Sequence, residues 1–246
     1  MKNKSINVLV TRPREQAKSL CEKLTAKGFT PIPYPTIEIV PAKLNEDSRL
    51  QLKALDAYHA LIFISANAAL QADNAVAGQW PNFTAKVVAL GSKTEQAIED
   101  LGIKVDLVSK PPFSSEQLLS DFPESLEGQR ILIIKGEGGH ELLADELTRR
   151  GASVQSADVY RRVLPKPVSP IPPHSIDYLT VTSQLSLENF FALYPGDTDE
   201  VKKQACFVVF SQRLAEHAFE LGCEHVITTQ QADDEGLIDA IVRAEK

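Results

Sequence analysis

The stretch YHALIFISANAAL, residues 58–70, places a short apolar run directly before an alanine-rich segment. Its centre, LIFI at 61–64, suits a strand that is buried on both faces. Ser65 is a residue type preferred at helix N-termini, so we expect a helix from about Ala66. A buried strand followed directly by a helix is the unit of a parallel α/β sheet.

Similar strand and helix units recur along the whole chain at an offset of about 120 residues, which indicates an internal repeat. The segments that correspond are 7–41 with 130–165, 58–70 with 176–187, and 86–108 with 206–228. We therefore predict an α/β protein of two lobes, each a parallel sheet flanked by helices.

Two extended stretches bounded by proline, residues 36–41 and 159–165, are predicted to be a pair of linker strands that join the lobes. In that arrangement residues 1–35 and 166–246 form a discontinuous first domain, and residues 42–158 form an inserted second domain. Two sequential domains with a boundary near residue 125 fit the pattern equally well. The pattern of strands and helices does not separate these two topologies.

Composition excludes several classes of protein. The net charge of −7 and pI near 5.3 disfavour non-specific nucleic-acid binding. No apolar run approaches the roughly 18 residues that span a bilayer, so we expect no membrane segment. The three cysteines show no disulfide or metal-binding spacing, and the five histidines are scattered. We expect no metal and a cytoplasmic location.

Ligands of parallel sheets bind beyond the carboxyl ends of the strands, where helix N-termini present backbone N–H groups to anions. Small, hydroxylated and basic residues follow most of the predicted strands, which favours a site for a polyanion when they are taken together. The candidate binding residues are Thr11, Arg12, Ser65, Ala66, Asn67, Ser92, Thr94, Lys135, Gly136, Gly138, Gly139, Ser183, Ser186, Ser211 and Arg213. Each hydroxyl taken singly is equally explained as a helix cap.

Tyr160 is the candidate catalytic residue. It lies inside the second predicted linker strand, beside Arg161 and Arg162, where a connection needs no aromatic hydroxyl. The position of Tyr160 in the sequence does not decide between two roles. The side chain can pack against the linker, or its hydroxyl can have a function. The loop KGEGG at 135–139 matches neither G-x-G-x-x-G nor the P-loop, and no G-x-S-x-G occurs.

Seven segments, taken in order, resemble the uroporphyrinogen-III synthase family along nearly the whole chain. They are VLVTRP (8–13), LIFISANA (61–68), VVALGSKTEQA (87–97), ILIIKGEGGHELLADEL (131–147), DVYRRV (158–163), VTSQLSLENF (181–190) and VVFSQRLAEHA (208–218). The resemblance implies two α/β lobes joined by a two-stranded linker, the inserted topology, and a site in the cleft between the lobes.

The resemblance also implies the reaction. A uroporphyrinogen-III synthase cyclises hydroxymethylbilane, a linear tetrapyrrole with eight carboxylates, with loss of water and inversion of ring D. The family's tyrosine falls on Tyr160, which is expected to assist departure of the ring A hydroxyl. No cofactor is implied, a monomer is expected, and the substrate would be handed over transiently by hydroxymethylbilane synthase. Departures from the family pattern occur at Ile64, His140 and Phe210.

Three rival functions have weaker support in the sequence. A two-lobed binding protein without catalysis would use the same architecture. A receiver-type regulatory domain needs a phosphoaccepting aspartate at a strand end, whereas the strands here end in Thr, Ser, Gly and Lys. A nucleotide-dependent enzyme needs a phosphate loop.

Overall fold

A computed structural model describes residues 5–111, 113–138, 141–166 and 171–246. Contacts divide the chain into two compact units. Unit 1 comprises Met1–Glu38 and Val163–Lys246, and unit 2 comprises Ile39–Arg162. The predicted domain limits (1–35 with 166–246, and 42–158) and the linker role of 36–41 and 159–165 stay predictions.

Strands and helices alternate along the chain. The strands are β1 (Asn7–Val10), β2 (Thr30–Pro33), β3 (Glu38–Pro41), β4 (Ala60–Phe63), β5 (Lys86–Ala89), β6 (Leu107–Val108), β7 (Arg130–Gly136), β8 (Ser153–Val163), β9 (Tyr178–Val181), β10 (Cys206–Val209) and β11 (His225–Thr228). The helices are α1 (Arg14–Ala26), α2 (Glu46–Lys53), α3 (Ala66–Ala75), α4 (Ser92–Glu99), α5 (Ser115–Ser120), α6 (Leu142–Arg149), α7 (Gln184–Leu193), α8 (Thr198–Gln204), α9 (Gln212–Glu220) and α10 (Asp234–Ala244). Short 3₁₀ turns span Leu55–Ala57 and Pro173–Ser175.

The sheet of unit 1 has the strand order β11-β10-β9-β1-β2, and its neighbouring strands are parallel. Val8, Leu9 and Val10 of β1 are fully buried. Leu9 packs into a cluster on one face of the sheet, while Val8 and Val10 pack into a cluster on the other. Burial on both faces explains why β1 is apolar throughout.

The sheet of unit 2 has the order β3-β8-β7-β4-β5-β6. Leu61 and Phe63 of β4 belong to one apolar cluster, and Ala60 and Ile62 belong to another. These alternating contacts follow from the two-residue period of a strand, and they cover both faces of this sheet as well.

The two sheets share one strand order. From the β6 edge, the sheet of unit 2 has the order β6-β5-β4-β7-β8, which matches β11-β10-β9-β1-β2 of unit 1. The sheet of unit 2 has one more strand, β3, beside β8. In unit 1 the β1-α1-β2 part comes first in the chain, whereas in unit 2 the corresponding β7-α6-β8 part comes last. The predicted fold class, parallel α/β sheets flanked by helices, is confirmed.

Candidate functional site

Serines cap three helices that directly follow strands of the two sheets. Ser65 Oγ accepts a hydrogen bond from the backbone N–H of Ala68 at 3.1 Å, at the start of α3 after β4. In unit 1, Ser183 and Ser211 cap α7 and α9 in the same way, after β9 and β10. Each serine has an extended backbone, so the first turn of its helix presents N–H groups at the carboxyl edge of its sheet.

Thr11 and Ser186 meet in a buried hydroxyl cluster in unit 1. Thr11 Oγ1 donates to the carbonyl of Thr180 at 2.7 Å and lies 2.7 Å from Ser186 Oγ. Thr36 completes the cluster, 3.0 Å from Ser186 Oγ, and donates to the Thr11 carbonyl at 3.1 Å. Because these three side chains are buried and bonded to one another and to the backbone, they fix the loop after β1.

Arg12 follows directly, and its guanidinium forms a buried ion pair with Asp234. Ser19 Oγ also donates to Asp234, at 3.2 Å, and the guanidinium lies 5.3 Å from the centre of the Phe210 ring. Both charges of the pair are less than a tenth exposed. The family departure at Phe210 therefore supplies a cation–π contact to Arg12.

The remaining predicted residues of the helix starts differ in exposure. Ala66 and Asn67 are half-buried in the first turn of α3. Ser92 is exposed at the first position of α4, whereas Thr94 is buried two residues later. Arg213 is exposed in the first turn of α9.

Lys135 holds the loop that follows β7. Its Nζ lies 2.9 Å from Asp158 Oδ1 on the neighbouring strand and donates to the carbonyl of Gly138 at 3.2 Å. Gly138 has a φ of +69°, a conformation that favours glycine. Gly139 and His140 lie outside the described residues.

Tyr160 lies on β8 and is 1 % exposed. Its hydroxyl is 3.2 Å from Ser65 Oγ and accepts a hydrogen bond from Arg162 Nη2 at 3.1 Å. The Arg162 guanidinium lies 5.4 Å from the centre of the Tyr160 ring. Gly136 on β7 lies against the same ring. Four residues of unit 2 thus form one tyrosine-centred cluster: Tyr160, Ser65, Arg162 and Gly136.

Several members of these clusters were not predicted as site residues. The two-residue period of a strand places Tyr160 and Arg162 on one face of β8, so the sequence carried a signal for that pair. Thr36 and Asp234 meet Thr11 and Arg12 only through tertiary packing, since 25 and 222 residues separate them. No local pattern indicates such partners.

Two general features of the described ranges bear on function. Within them, no group of three or more His, Cys, Asp or Glu side chains could hold a metal ion. None of the helices that the structure describes is long and apolar enough to cross a membrane.

The chain is similar to known proteins in both sequence and fold. The family model described as "Uroporphyrinogen-III synthase HemD" matches residues 18–239. Uroporphyrinogen-III synthase from Escherichia coli is 30% identical over 96% of this chain and 100% of its own length. The enzyme of that name from Salmonella typhimurium is 28% identical over the same shares.

Solved structures show the same fold at lower sequence identity. A mutant uroporphyrinogen III synthase from Thermus thermophilus superposes with a TM-score of 0.60 at 19% identity, over 98% of this chain and 99% of that one. Uroporphyrinogen-III synthetase from Helicobacter pylori gives 0.62 at 14% identity, over 98% of this chain and 100% of that one.

The fold and these matches define an enzyme of tetrapyrrole synthesis built from two parallel α/β units. The chain belongs to the uroporphyrinogen-III synthase family. It is a lyase of heme biosynthesis that cyclises hydroxymethylbilane to uroporphyrinogen III, with loss of water and inversion of ring D. The family resemblance seen in the sequence is confirmed.

Proposed function

We propose that Tyr160 supplies the proton with which the hydroxyl of ring A departs as water. The observation that supports this role is the position of its hydroxyl, which is held by Ser65 and Arg162 beside the N-terminus of α3. The cluster has the form of a general acid oriented by its neighbours.

The reaction requires such an acid because hydroxide is a poor leaving group. Protonation of the hydroxyl lets the lone pair of the ring A pyrrole nitrogen expel water, which leaves an electrophilic azafulvene. Ring D attacks this centre through its substituted α-carbon, and cleavage and reclosure of the spiro intermediate invert the ring. General acid assistance contributes about 100- to 10,000-fold in rate. Positioning of ring D supplies the choice of isomer.

We propose that loops at the strand ends bind the substrate carboxylates mainly through backbone N–H groups. The first turns that contain Ala66 and Asn67, Ser92 and Thr94, and Arg213 are oriented to donate to anions. The exposed side chains of Ser92 and Arg213 can add direct contacts. The buried side chains of Thr11, Arg12 and Ser186 support the shape of their loops instead.

The other proposed binding residues act in the same two ways. Ser65, Ser183 and Ser211 cap the helices whose N–H groups bind carboxylates, and Lys135 fixes the loop that follows Gly136 and contains Gly138. Gly139, which lies outside the described residues, follows Gly138 in the sequence. Glycines allow a backbone to approach a ligand closely.

Tyr160→Phe tests the catalytic role, because it removes only the hydroxyl. Hydroxymethylbilane is generated in place by its synthase, and the oxidised isomers are separated by chromatography. We expect kcat for type III product to fall about 100-fold or more while the fold is retained. Tyr58→Phe is the matched control, since Tyr58 also lies in unit 2 and its hydroxyl bonds to Gln155 instead.

Undiminished type III turnover by Tyr160→Phe would remove Tyr160 from the proposed role. Type I product alone from the wild-type protein, at the spontaneous rate, would argue for a binding protein without catalysis. Circular dichroism of both tyrosine variants separates loss of chemistry from loss of fold.

We further propose a cytoplasmic monomer that receives its substrate by transient handover from hydroxymethylbilane synthase. Free thiols at Cys21, Cys206 and Cys223 support a reducing compartment. Handover is favoured because free hydroxymethylbilane closes spontaneously to the type I isomer. Light scattering tests the monomer, cell fractionation tests the location, and the type III yield at limiting enzyme tests the handover.

A further inference from the structure

We propose that Ser65 and Arg162 are positioning residues that stabilise the Tyr160 oxygen as it gives up its proton. The inference rests on the proposed role of Tyr160 and adds how that acid is made effective. Ser65 Oγ and Arg162 Nη2 lie 3.2 and 3.1 Å from the Tyr160 hydroxyl oxygen. Both partners belong to unit 2, as Tyr160 does.

Hydrogen-bonding chemistry fixes Arg162 as one donor in this cluster, and we take Ser65 as the other. A guanidinium only donates, so Tyr160 accepts the bond from Arg162. Ser65 Oγ accepts the N–H of Ala68, and we assign its own O–H as the donor of the bond to Tyr160. With donors on both acceptor positions of the phenol oxygen, the Tyr160 proton is directed away from both neighbours and toward a substrate oxygen.

The same donors stabilise the charge that develops during the step. As the C–O bond of the ring A hydroxymethyl group breaks, the Tyr160 proton moves to the departing oxygen and negative charge grows on the phenol oxygen. Hydrogen bonds to an oxyanion, especially from a cation, are stronger than those to a neutral hydroxyl. Closure of the macrocycle releases one proton from carbon, which restores the phenol, so water is the only group lost.

Arg162 is an exposed member of the cluster and lies over the buried Tyr160. The tyrosine is 1 % exposed, whereas the Arg162 side chain that lies against its ring is exposed. A long side chain at the surface can change rotamer, and a guanidinium with five donors can keep one of them on the phenol oxygen while it moves. A rotamer change of Arg162 would uncover the buried Tyr160 hydroxyl for the substrate oxygen while the hydrogen bond persists.

A double-mutant cycle tests the inference, because a residue that acts through the Tyr160 hydroxyl has nothing to act on in Tyr160→Phe. Ser65→Ala and Arg162→Met are each measured in the wild-type and Tyr160→Phe backgrounds. We expect each to lower kcat roughly 10- to 100-fold in the wild type, and Arg162→Met to change KM little. In Tyr160→Phe we expect no further fall in kcat.

Matched variants separate this role from structural ones. Ser114→Ala removes the cap of α5 in the same unit, so it should match the stability loss of Ser65→Ala without the loss of kcat. Ser65→Thr keeps the hydroxyl and should restore most of the rate. Arg161→Met removes the adjacent exposed arginine, whose side chain leaves the other face of β8, and should leave kcat unchanged.

Equal losses of kcat in both backgrounds would overturn the inference while leaving Tyr160 as the acid. Wild-type kcat for Ser65→Ala and Arg162→Met would overturn it as well. If Tyr160→Phe itself turns over at the wild-type rate, the proposed role of Tyr160 fails, and this inference falls with it.

Discussion

A Cβ atom added at Gly136 would lie 2.5 Å from Cζ of the Tyr160 ring. The two residues face each other across β7 and β8, where the register shifts after Lys135, so that Lys135 is opposite Asp158 and Gly136 is opposite Tyr160. A bulge of this kind redirects a side chain. Gly136 thus provides the space in which the tyrosine ring lies.

Gly136→Ala is therefore expected to displace the Tyr160 ring. Since small misplacements of a catalytic group cost up to about 100-fold in rate, we expect a loss of kcat of that order. Steady-state turnover and urea unfolding measure the effects on rate and stability. In the control Gly91→Ala the new methyl would lie 3.5 Å from Phe113, a normal contact, and kcat should persist. Full activity of Gly136→Ala would contradict the steric argument.

Arg12→Leu is expected to destabilise unit 1, because it removes the cation of the buried ion pair with Asp234. Loss of one partner of a buried pair costs about 3–5 kcal/mol. Urea unfolding followed by circular dichroism measures the loss. The Arg12→Leu/Asp234→Leu double variant, which removes both charges, should recover part of it.

The fluorescence of Trp80 distinguishes the unfolding of unit 2 from that of unit 1 in the Arg12 experiment. Trp80 is the single tryptophan of the chain and lies in unit 2, 6.2 Å from the Phe63 ring. Its fluorescence therefore follows unit 2, whereas circular dichroism follows the helices of both units. An unchanged unfolding free energy by circular dichroism in Arg12→Leu would show that the ion pair contributes little.

Arg213→Gln is expected to raise KM about 2- to 10-fold without a change in kcat. Arg213 is exposed in the first turn of α9, where a cation can meet a substrate carboxylate. The effect should shrink as salt concentration rises. Arg149→Gln, on the helix α6, removes the same charge from an exposed pair with Glu146 and serves as the control. An unchanged KM at low salt would exclude a carboxylate contact.

Stability should fall at alkaline pH. Burial raises the pKa of the Cys206 thiol to about 11 and that of Cys223 to about 12, from an ordinary value of 9.0. The unfolded chain releases these protons first, so the stabilisation is present below pH 9 and is lost as pH rises through 11 and 12.

The measurement is the urea unfolding free energy at pH 8 and at about pH 11. The Cys206→Ala/Cys223→Ala variant should lose less stability over this range than the wild type does. Burial and the hydrogen bond to Glu245 also raise the pKa of Tyr178, so a remaining slope is expected. An identical slope in the two proteins would contradict the assignment to the thiols.

Local patterns predicted the α/β class and the start of α3 at Ala66 correctly. Ser65 ends an apolar run and begins a helix, and both features are visible within a few residues of sequence. The repeat indicated two related lobes, and the structure adds that their sheets share one strand order. Long-range polar partners could not be predicted in this way.

The candidate site illustrates the limit for single residues. Arg12 and Arg213 follow strand ends in similar sequence contexts, yet Arg12 is buried against Asp234 while Arg213 is exposed. The burial of Arg12 depends on its contact with Asp234 of α10, which lies more than 200 residues away in the sequence. A basic residue type at a strand end therefore does not reveal whether its charge is free for a ligand.

The sequence by itself determined the parallel α/β fold and the family, because both depend on the order of local apolar and polar patterns. Only the tertiary structure decided that Tyr160 meets Ser65, that Gly136 makes room for its ring, and that Arg12 is paired inside unit 1. These contacts join segments that lie far apart in the chain. Their geometry depends on strand register and side-chain packing, which no local pattern encodes.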